Sequence, residues 1–518
     1  DGDAATSDAL IVRTTRSIAP GTAVEVTGTV REELPGGRRD NLTVTTLVET
    51  TVAVLDEDLG RVEPVVLGRA GRAIPHRVID DDRLGDFEPA ADGIDFYESL
   101  ESMLVRVDAP FVIDATSRFG EIWVLADGGR DASGRNRRGG VTLTAADANP
   151  ERIQIDDDLY PENAPRVQIG DRLEAVVGVV GYDYGNYDVQ ALQRPEFARL
   201  ETRPIVASLR PADGALTVAT FNVLNLGGDE DDAAFDARAR VIVESLHAPA
   251  IVALQEIQDD DGPERSGNPA AAGTFARLIA AIERAGGPRY AFTQIDPVDL
   301  ADGGQPGGNI RVGTLHDPAR VDFVPRGTAG PDDATAVENA GGVPRLTLNP
   351  GRVDPTHPSF DASRKPLATE FRWQGAPLFV VNVHFSSKGG STPLFGSVRP
   401  PVNGRVEART QQAARVRALV DDLRAVDPDA RIIVLGDFNE FDFEAPMQRL
   451  TGDRALRNLM TTLLPVERVS YVYQGNSQAL DHVLVAGFAN TEIEPVHACS
   501  GLLDAASDHD PVLVRLRP

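Results

Sequence analysis

Cysteine is all but missing. Cys499 stands alone in 518 residues, so no intramolecular disulfide can form, and the compartment stays open because a large domain needs no bridges outside the cell. A lone thiol of this kind reads as a buried structural side chain rather than a nucleophile. Lysine is nearly as scarce, with Lys365 and Lys388 set against 49 arginines. Positive charge as a whole runs short: 51 basic residues face 79 acidic ones, a net charge of −28. The deficit is spread along the chain, −15 over residues 1–210 and −13 over residues 211–518. That excludes a protein coating a duplex through many phosphate contacts, but not an enzyme that engages a few phosphates through a local cluster. No run approaches the roughly 20 apolar residues of a spanning helix. No signal-peptide pattern opens the chain, which starts Asp1-Gly2-Asp3; a processed N-terminus is compatible with that.

What is present is the composition of a globular protein, 42% apolar and 25% charged. The length exceeds one ordinary core, so two or three domains are expected. The first 200 residues read as β-structure with turn punctuation, as in Val24-Glu25-Val26-Thr27-Gly28-Thr29-Val30 and the run from Leu173 to Val180. The Pro20-Gly21…Val26 to Val30 pattern recurs as Ile169-Gly170…Val177 to Val180, which suggests a duplicated small β module. The expected organisation is a β-rich module over residues 1–95, a second over 96–202, a linker over 203–215 and a catalytic domain over 216–518. In that last part apolar runs alternate with helical patterns at Phe235 to Leu246, Thr274 to Ala285 and Glu407 to Leu423, which is the α/β signature. The Gly/Pro/Asp-rich stretch 326–358 is expected to be an exposed loop.

Chemistry concentrates at the ends of short apolar runs. Leu216 to Asn222, Ile251 to Glu256, Phe379 to His384, Ile432 to Asn439 and Ala479 to Val485 each place a polar residue of catalytic type where a buried strand should end. Ser507-Asp508-His509-Asp510-Pro511 does the same just before Val512-Leu513-Val514. Strands gather such residues at one sheet edge, where α/β folds hold their sites. Asn222, Glu256, His384, Asp437, Asn439, Asp481, Asp508 and His509 would then form one acidic pocket with two imidazoles. A hard divalent cation needs only one or two carboxylates and keeps its waters, so Glu256 with Asp508 suffices. The Asp259-Asp260-Asp261 run and Asp229-Glu230-Asp231-Asp232 read as solvated loops rather than calcium sites. His482 falls on the opposite face of its strand from Asp481 and reads as structural.

In order and register these motifs resemble the endonuclease/exonuclease/phosphatase superfamily, which includes pancreatic deoxyribonuclease, over roughly the last 300 residues. Phe221-Asn222-Val223-Leu224-Asn225, Gly307-Gly308-Asn309-Ile310-Arg311-Val312 and His384-Phe385-Ser386-Ser387-Lys388-Gly389-Gly390 are most similar to its large secreted bacterial nucleases. The resemblance implies a two-sheet α/β sandwich behind OB-like β modules, the first N-terminally incomplete. It also implies a secreted or cell-surface enzyme hydrolysing DNA, with RNA left open. No membrane or protein partner is indicated. Mg²⁺ or Mn²⁺ would be held by Glu256 and Asp508 with support from Asn222, and Ca²⁺ is a candidate structural ion. His509 would act as base or water-orienting imidazole, with Asp481 fixing its tautomer. Asp437 and Asn439 would position water and phosphate, and His384 would donate to a phosphate oxygen or the leaving group. Arg311, Arg364 and Lys388 would contact phosphate; Arg364 lies in Ser363-Arg364-Lys365-Pro366, a family segment in which Arg faces phosphate. The chain departs from the family at Thr314-Leu315-His316, where relatives carry aromatics.

Two other readings stand beside this one. A phosphomonoesterase or lipid-head-group phosphodiesterase could use the same fold. A non-catalytic surface binding protein could use the β modules alone, although it would have no reason to keep all eight pocket residues.

Overall fold

Strict alternation along the later strands sorts their side chains between two faces, and both faces are apolar, so each sheet must be covered twice. The computed structural model, which describes residues 3, 5–200 and 205–518, shows how. Its contacts divide the chain into two units, one of residues 1–201, 390–403 and 473–476, the other of residues 202–389, 404–472 and 477–518.

The second unit is a two-sheet α/β sandwich. One sheet runs in the order Ala291–Thr293, Arg311–His316, Ile251–Ile257, Leu216–Leu226, Val512–Arg517, Asn490–Pro495. The other runs Asp322–Phe323, Leu367–Trp373, Ala376–His384, Arg431–Asp437, Asp481–Ala486, Arg457–Asn458. Between the sheets lie Leu216 and Val218, Leu378 and Val380, Ile433 and Leu435. The intervening residues point outward under helices. Phe221 and Val252 pack beneath Phe235 and Phe275 of helices Asp232–Arg240 and Ala272–Arg284. Phe379 and Val434 pack beneath Val416 and Val420 of helix Val406–Val426. Residues 326–358, expected as a loop, instead hold the hairpin Val337–Asn339 and Pro344–Leu346, and Leu346 and Val353 are buried in that last cluster. Cys499 is buried, as its context suggested.

The first unit is β-rich. It contains an open nine-stranded sheet with Val65–Leu67 and Phe197–Ala198 at its edges, and a three-stranded sheet of Ile11–Val12, Val44–Val54 and Val24–Glu33. Parallel pairing of Val65–Leu67 with Leu104–Val107 joins chain from both sides of residue 95 in one sheet. Among the described residues no barrel closes. Of the expected linker, Arg203 and Pro204 lie outside the described residues. Farther along it, Ala207 donates its N–H to Ser245 O at 2.8 Å and is buried beside Leu246 and Val496.

Candidate active site

The alternation that builds the inter-sheet core also builds the site, because the inner face of each strand turns polar at one end. Leu216 and Val218 are followed on that face by Thr220 and Asn222, Leu378 and Val380 by Asn382 and His384, and Ile433 and Leu435 by Asp437. Val485 and Val483 lead to Asp481 in the antiparallel neighbour. Directly below the site, Thr220 Oγ1 donates to Gln255 Oε1 at 3.0 Å, Gln255 Nε2 to Asn382 Oδ1 at 2.7 Å, and Asn382 Nδ2 to Leu254 O and Gly313 O. All three of these side chains are fully buried, and their mutual hydrogen bonds fix the spacing of the two sheets under the site. The sequence reading missed this layer. Its signal was polar residues on an inner face just before the strand-end groups.

Glu256 breaks the alternation. Counting from Ile251 and Ala253 it belongs on the outer face, but its φ is +62° and the pairing with Arg311–His316 shifts register between Leu254 and Ile257. A left-handed residue at a bulge redirects a side chain. The Glu256 carboxylate accepts from Asn222 Nδ2 at 3.1 Å and from Asn225 N at 3.1 Å. Asn222 Nδ2 also lies 3.3 Å from Asp437 Oδ2, while its Oδ1 accepts from Leu224 N. Asn222 therefore presents a donor to both acids.

Ligand atoms of Glu256, His384 and Asp437 lie within 4.8 Å of one another. His384 Nε2 is 3.3 Å from Asp437 Oδ2 and 3.9 Å from Glu256 Oε1. Burial, then Arg364 and His509, drive the His384 imidazole well below its ordinary pKa, so it is neutral there. Asp437 is pushed up to about 7, chiefly by burial, with His509 favouring the ionised form and Asp481 opposing it. Asn439, at φ +49°, donates its N–H to Asp437 Oδ1 at 2.7 Å. Two carboxylates around one neutral imidazole suit a divalent cation. Asp508, the other expected ligand, is exposed and stands outside this group. Its loop is tied to the site by Ser507 Oγ, which donates to Asn222 O at 2.7 Å.

His509 Nδ1 meets Asp481 Oδ2 at 2.7 Å, and its Nε2 lies 4.0 Å from Asp437 Oδ2. Burial alone would lower its pKa, but Asp481, Asp437 and Asp508 override burial and hold it well above the ordinary value. Two partners of this dyad went unforeseen. Ser470 Oγ donates to Asp481 Oδ2 at 2.8 Å, and the Tyr471 ring lies against His509 with centroids 4.6 Å apart. Neither residue sits in a pattern that would flag it.

The three candidate phosphate contacts part company. Arg364 lies close enough to perturb His384 and to feel Glu256 and Asp437. Its Nη2 donates to Phe385 O at 2.7 Å, and its Nε is buried without an acceptor. Lys388 donates to Glu440 Oε1 at 2.9 Å and lies 4.1 Å above the Phe441 ring. Arg311 corrects the expectation. It is 1% exposed and donates to Gln294 Oε1, Asp296, Pro269 O and Asn309 O. It shares the helix-covered face of its strand with Leu315, which makes it a core guanidinium rather than a phosphate contact. His482 is structural as expected, buried with Nε2 2.9 Å from Glu440 O.

Residues 219–509, more than half of the chain, match the Endonuclease/Exonuclease/phosphatase family. Residues 66–201 match a domain of unknown function, DUF8508. No curated protein matches the chain. Among solved structures it is similar to D. rerio TDP2 complexed with single strand DNA product, at 17% identity over 59% of this chain and 100% of that one, with a TM-score of 0.36. It is similar to the human Nocturnin catalytic domain with bound sulfate anion, at 16% identity over 60% and 96%, TM-score 0.36. An endonuclease/exonuclease/phosphatase from Bacteroides vulgatus is 17% identical over 58% and 98%, TM-score 0.35.

Proposed function

The chain belongs to the endonuclease/exonuclease/phosphatase family, and from that premise we propose that it is a divalent-metal-dependent nuclease that hydrolyses phosphodiester bonds of DNA. The observation that carries the reading is the meeting of two differently tuned groups, the Glu256, His384, Asp437 cluster and the Asp481 to His509 pair, at one end of the inter-sheet face. Phosphodiester hydrolysis needs charge neutralised on the phosphoryl oxygens, a nucleophilic water and help for the leaving alkoxide. A divalent cation held by Glu256, Asp437 and His384 would supply the first. In this reading Asp481 anchors Nδ1 of His509, so that a proton is given or taken at Nε2. Asn439 and Arg364 orient the phosphate, and Asn222 bridges the two acids by donating to both.

The test incubates the protein with plasmid, linear duplex, single strand and RNA, and with inositol phosphates and sphingomyelin, in Mg²⁺, Mn²⁺ or EDTA. Cleavage of DNA that requires metal and falls away in Glu256→Gln is expected. Turnover of a phosphomonoester or lipid head group with none on DNA would replace the reading with another hydrolase on the same fold. An active Glu256→Gln variant at ordinary Mg²⁺ would remove the metal assignment.

A further inference from the structure

In a chain of net charge −28, the stretch Gly128-Gly129-Arg130-Asp131-Ala132-Ser133-Gly134-Arg135-Asn136-Arg137-Arg138-Gly139-Gly140 sets four arginines against one aspartate. A charged loop is ordinarily a solvated face, but this one folds back onto the nine-stranded sheet. Asn136 is buried, with Nδ2 donating to Thr142 Oγ1 at 3.1 Å and Oδ1 accepting from Gly140 N at 3.0 Å. Val141 packs with Phe111, Trp123 and Leu125. Strands Phe111–Val112 and Arg172–Leu173 pair with Arg172 directly opposite Phe111, so those two side chains share a face. Val112 and Leu173 turn the other way, into the larger core. The Phe111 ring thus carries two guanidiniums, Arg135 Cζ at 4.7 Å from its centroid and Arg172 Cζ at 5.8 Å. Glycines make the room. A Cβ at Gly129, where φ is +72°, would collide with Arg135 Nη1, and one at Gly139, where φ is +100°, would stand 2.9 Å from the Phe111 ring. A Cβ at Gly128 would lie 3.9 Å from Arg172 Nη1, so the two guanidiniums rest against successive residues of one turn.

No counterion accompanies them. Asp131 pairs with Arg69 Nε at 2.9 Å, Asp127 accepts from Arg69 N at 2.8 Å, and Asp108 pairs with Arg106 Nε at 2.7 Å. Among the described residues neither Arg135 nor Arg172 has a carboxylate or any other acceptor, and Arg135 Nη1 is buried in that state. Burial lowers the pKa of Arg135, and Arg172 is close enough to add to the lowering. Like charges held over one ring repel, and an anion shared between them reverses the sign of that interaction. The guanidinium fork matches a phosphate oxyanion bidentately, and stacking on an aromatic ring holds the fork in place. Arg172 is exposed and Arg135 half-buried, so a ligand can approach from solvent. We propose that Arg135 and Arg172, over Phe111, form a phosphate-binding site in the β-rich unit, taking the oxyanion of a free phosphate ester or of a nucleic-acid strand. Arg130 and Arg137, exposed on the same loop, add to its field. The site does not rest on the nuclease reading, because it uses none of the strand-end groups.

The experiment measures binding by the full chain in EDTA, which withholds any divalent cation. A fluorescein-labelled thymidine dodecamer is followed by anisotropy, and thymidine 5′-phosphate and inorganic phosphate are followed as Tm shifts against chloride of equal ionic strength. Wild type is compared with the double variant Arg135→Gln, Arg172→Gln. A control, Arg13→Gln with Arg31→Gln, removes the same charge from arginines paired with Glu33 and Glu49. Circular dichroism confirms that each is folded. If a strand is the ligand, the double variant should raise the Kd for the dodecamer at least about tenfold. Its log–log salt slope should flatten by about 1.4, or about 0.7 for each lost contact, and the control should match wild type. If a free phosphate ester is the ligand, phosphate or the nucleotide should raise the Tm of wild type and control but not of the double variant, with dodecamer binding equal in all three. Should Arg135→Gln fail to fold, Arg172→Gln alone decides, since its residue is exposed. Equal responses of wild type and double variant to all three ligands would overturn the site. A control that weakens as much as the double variant would overturn it too, since the effect would then be one of net charge.

Discussion

Replacing Asp437 with Asn separates the electrostatics of the site from its shape, because the amide keeps the size of the carboxyl group. Burial pushes Asp437 from 3.8 up to about 7. A folded-state pKa above the unfolded one means that the native protein binds this proton more tightly. The associated stability is fully present below about pH 4 and is lost as pH rises through 7. A shift of about 3 units at about 1.4 kcal/mol per unit gives an upper figure of about 4 kcal/mol. The amide introduced by Asp437→Asn carries no such titration. In EDTA, Asp437→Asn should therefore be more stable than wild type at pH 8 by up to about 4 kcal/mol, and the two should converge near pH 4. Urea denaturation followed by circular dichroism between about pH 4.5 and 8 reads the difference directly. Mg²⁺ or Mn²⁺ should then restore stability to the wild type and not to the variant, while the variant loses turnover. Equal pH slopes for the two proteins, or a variant weaker than wild type at pH 8, would refute the reasoning.

Other expectations follow from neighbouring contacts. His509→Ala should lower turnover by about 10²–10⁴, the usual weight of one acid–base group, and adding Asp481→Asn should cost little more, because groups bonded at 2.7 Å act as a unit; additive losses in the kinetic cycle would break the pairing. His316 is wedged against Phe323 and Phe371, and burial lowers it to about 4. Its folded pKa lies below the unfolded value of 6.5, so the stability it contributes is present above pH 6.5 and lost as pH falls through about 4. His316→Leu should remove about 3 kcal/mol of acid sensitivity in denaturation curves between about pH 7 and 4. Arg311→Leu should lower unfolding free energy by about 2–3 kcal/mol through lost charge-assisted hydrogen bonds and leave KM for DNA unchanged; a raised KM with unaltered stability would return Arg311 to the phosphate path.

The strand-end residues were legible because alternation is a local rule that tertiary context does not override. Once Val218, Val380 and Leu435 are known to face inward, Asn222, His384 and Asp437 must follow them two or four residues later. The two-sheet sandwich was legible for the same reason, since runs apolar on both faces need a sheet on one side and helices on the other. Glu256 is the instructive exception. Its place in the motif was readable, but the backbone turn that brings it inward, φ +62° at a register shift, leaves no mark in the residue types around it.

Long and charged side chains were legible only as candidates, because their destination is set by partners distant in sequence. Arg311 and Arg364 look alike in sequence, yet Arg311 spends its donors on Gln294, Asp296 and two backbone carbonyls, while Arg364 stands beside the acid cluster. Asp259 departs from expectation in the same way, since a triple-Asp run expected in solvent has its first member in the core. Periodicity can say which face a strand residue takes, but it is silent where a loop folds back on itself. Residues 258–261 are such a loop, tied by Asn309, Asn225 and Thr274 from three other segments. The residues hardest to read from sequence are thus the ones whose burial depends on several loops arriving together.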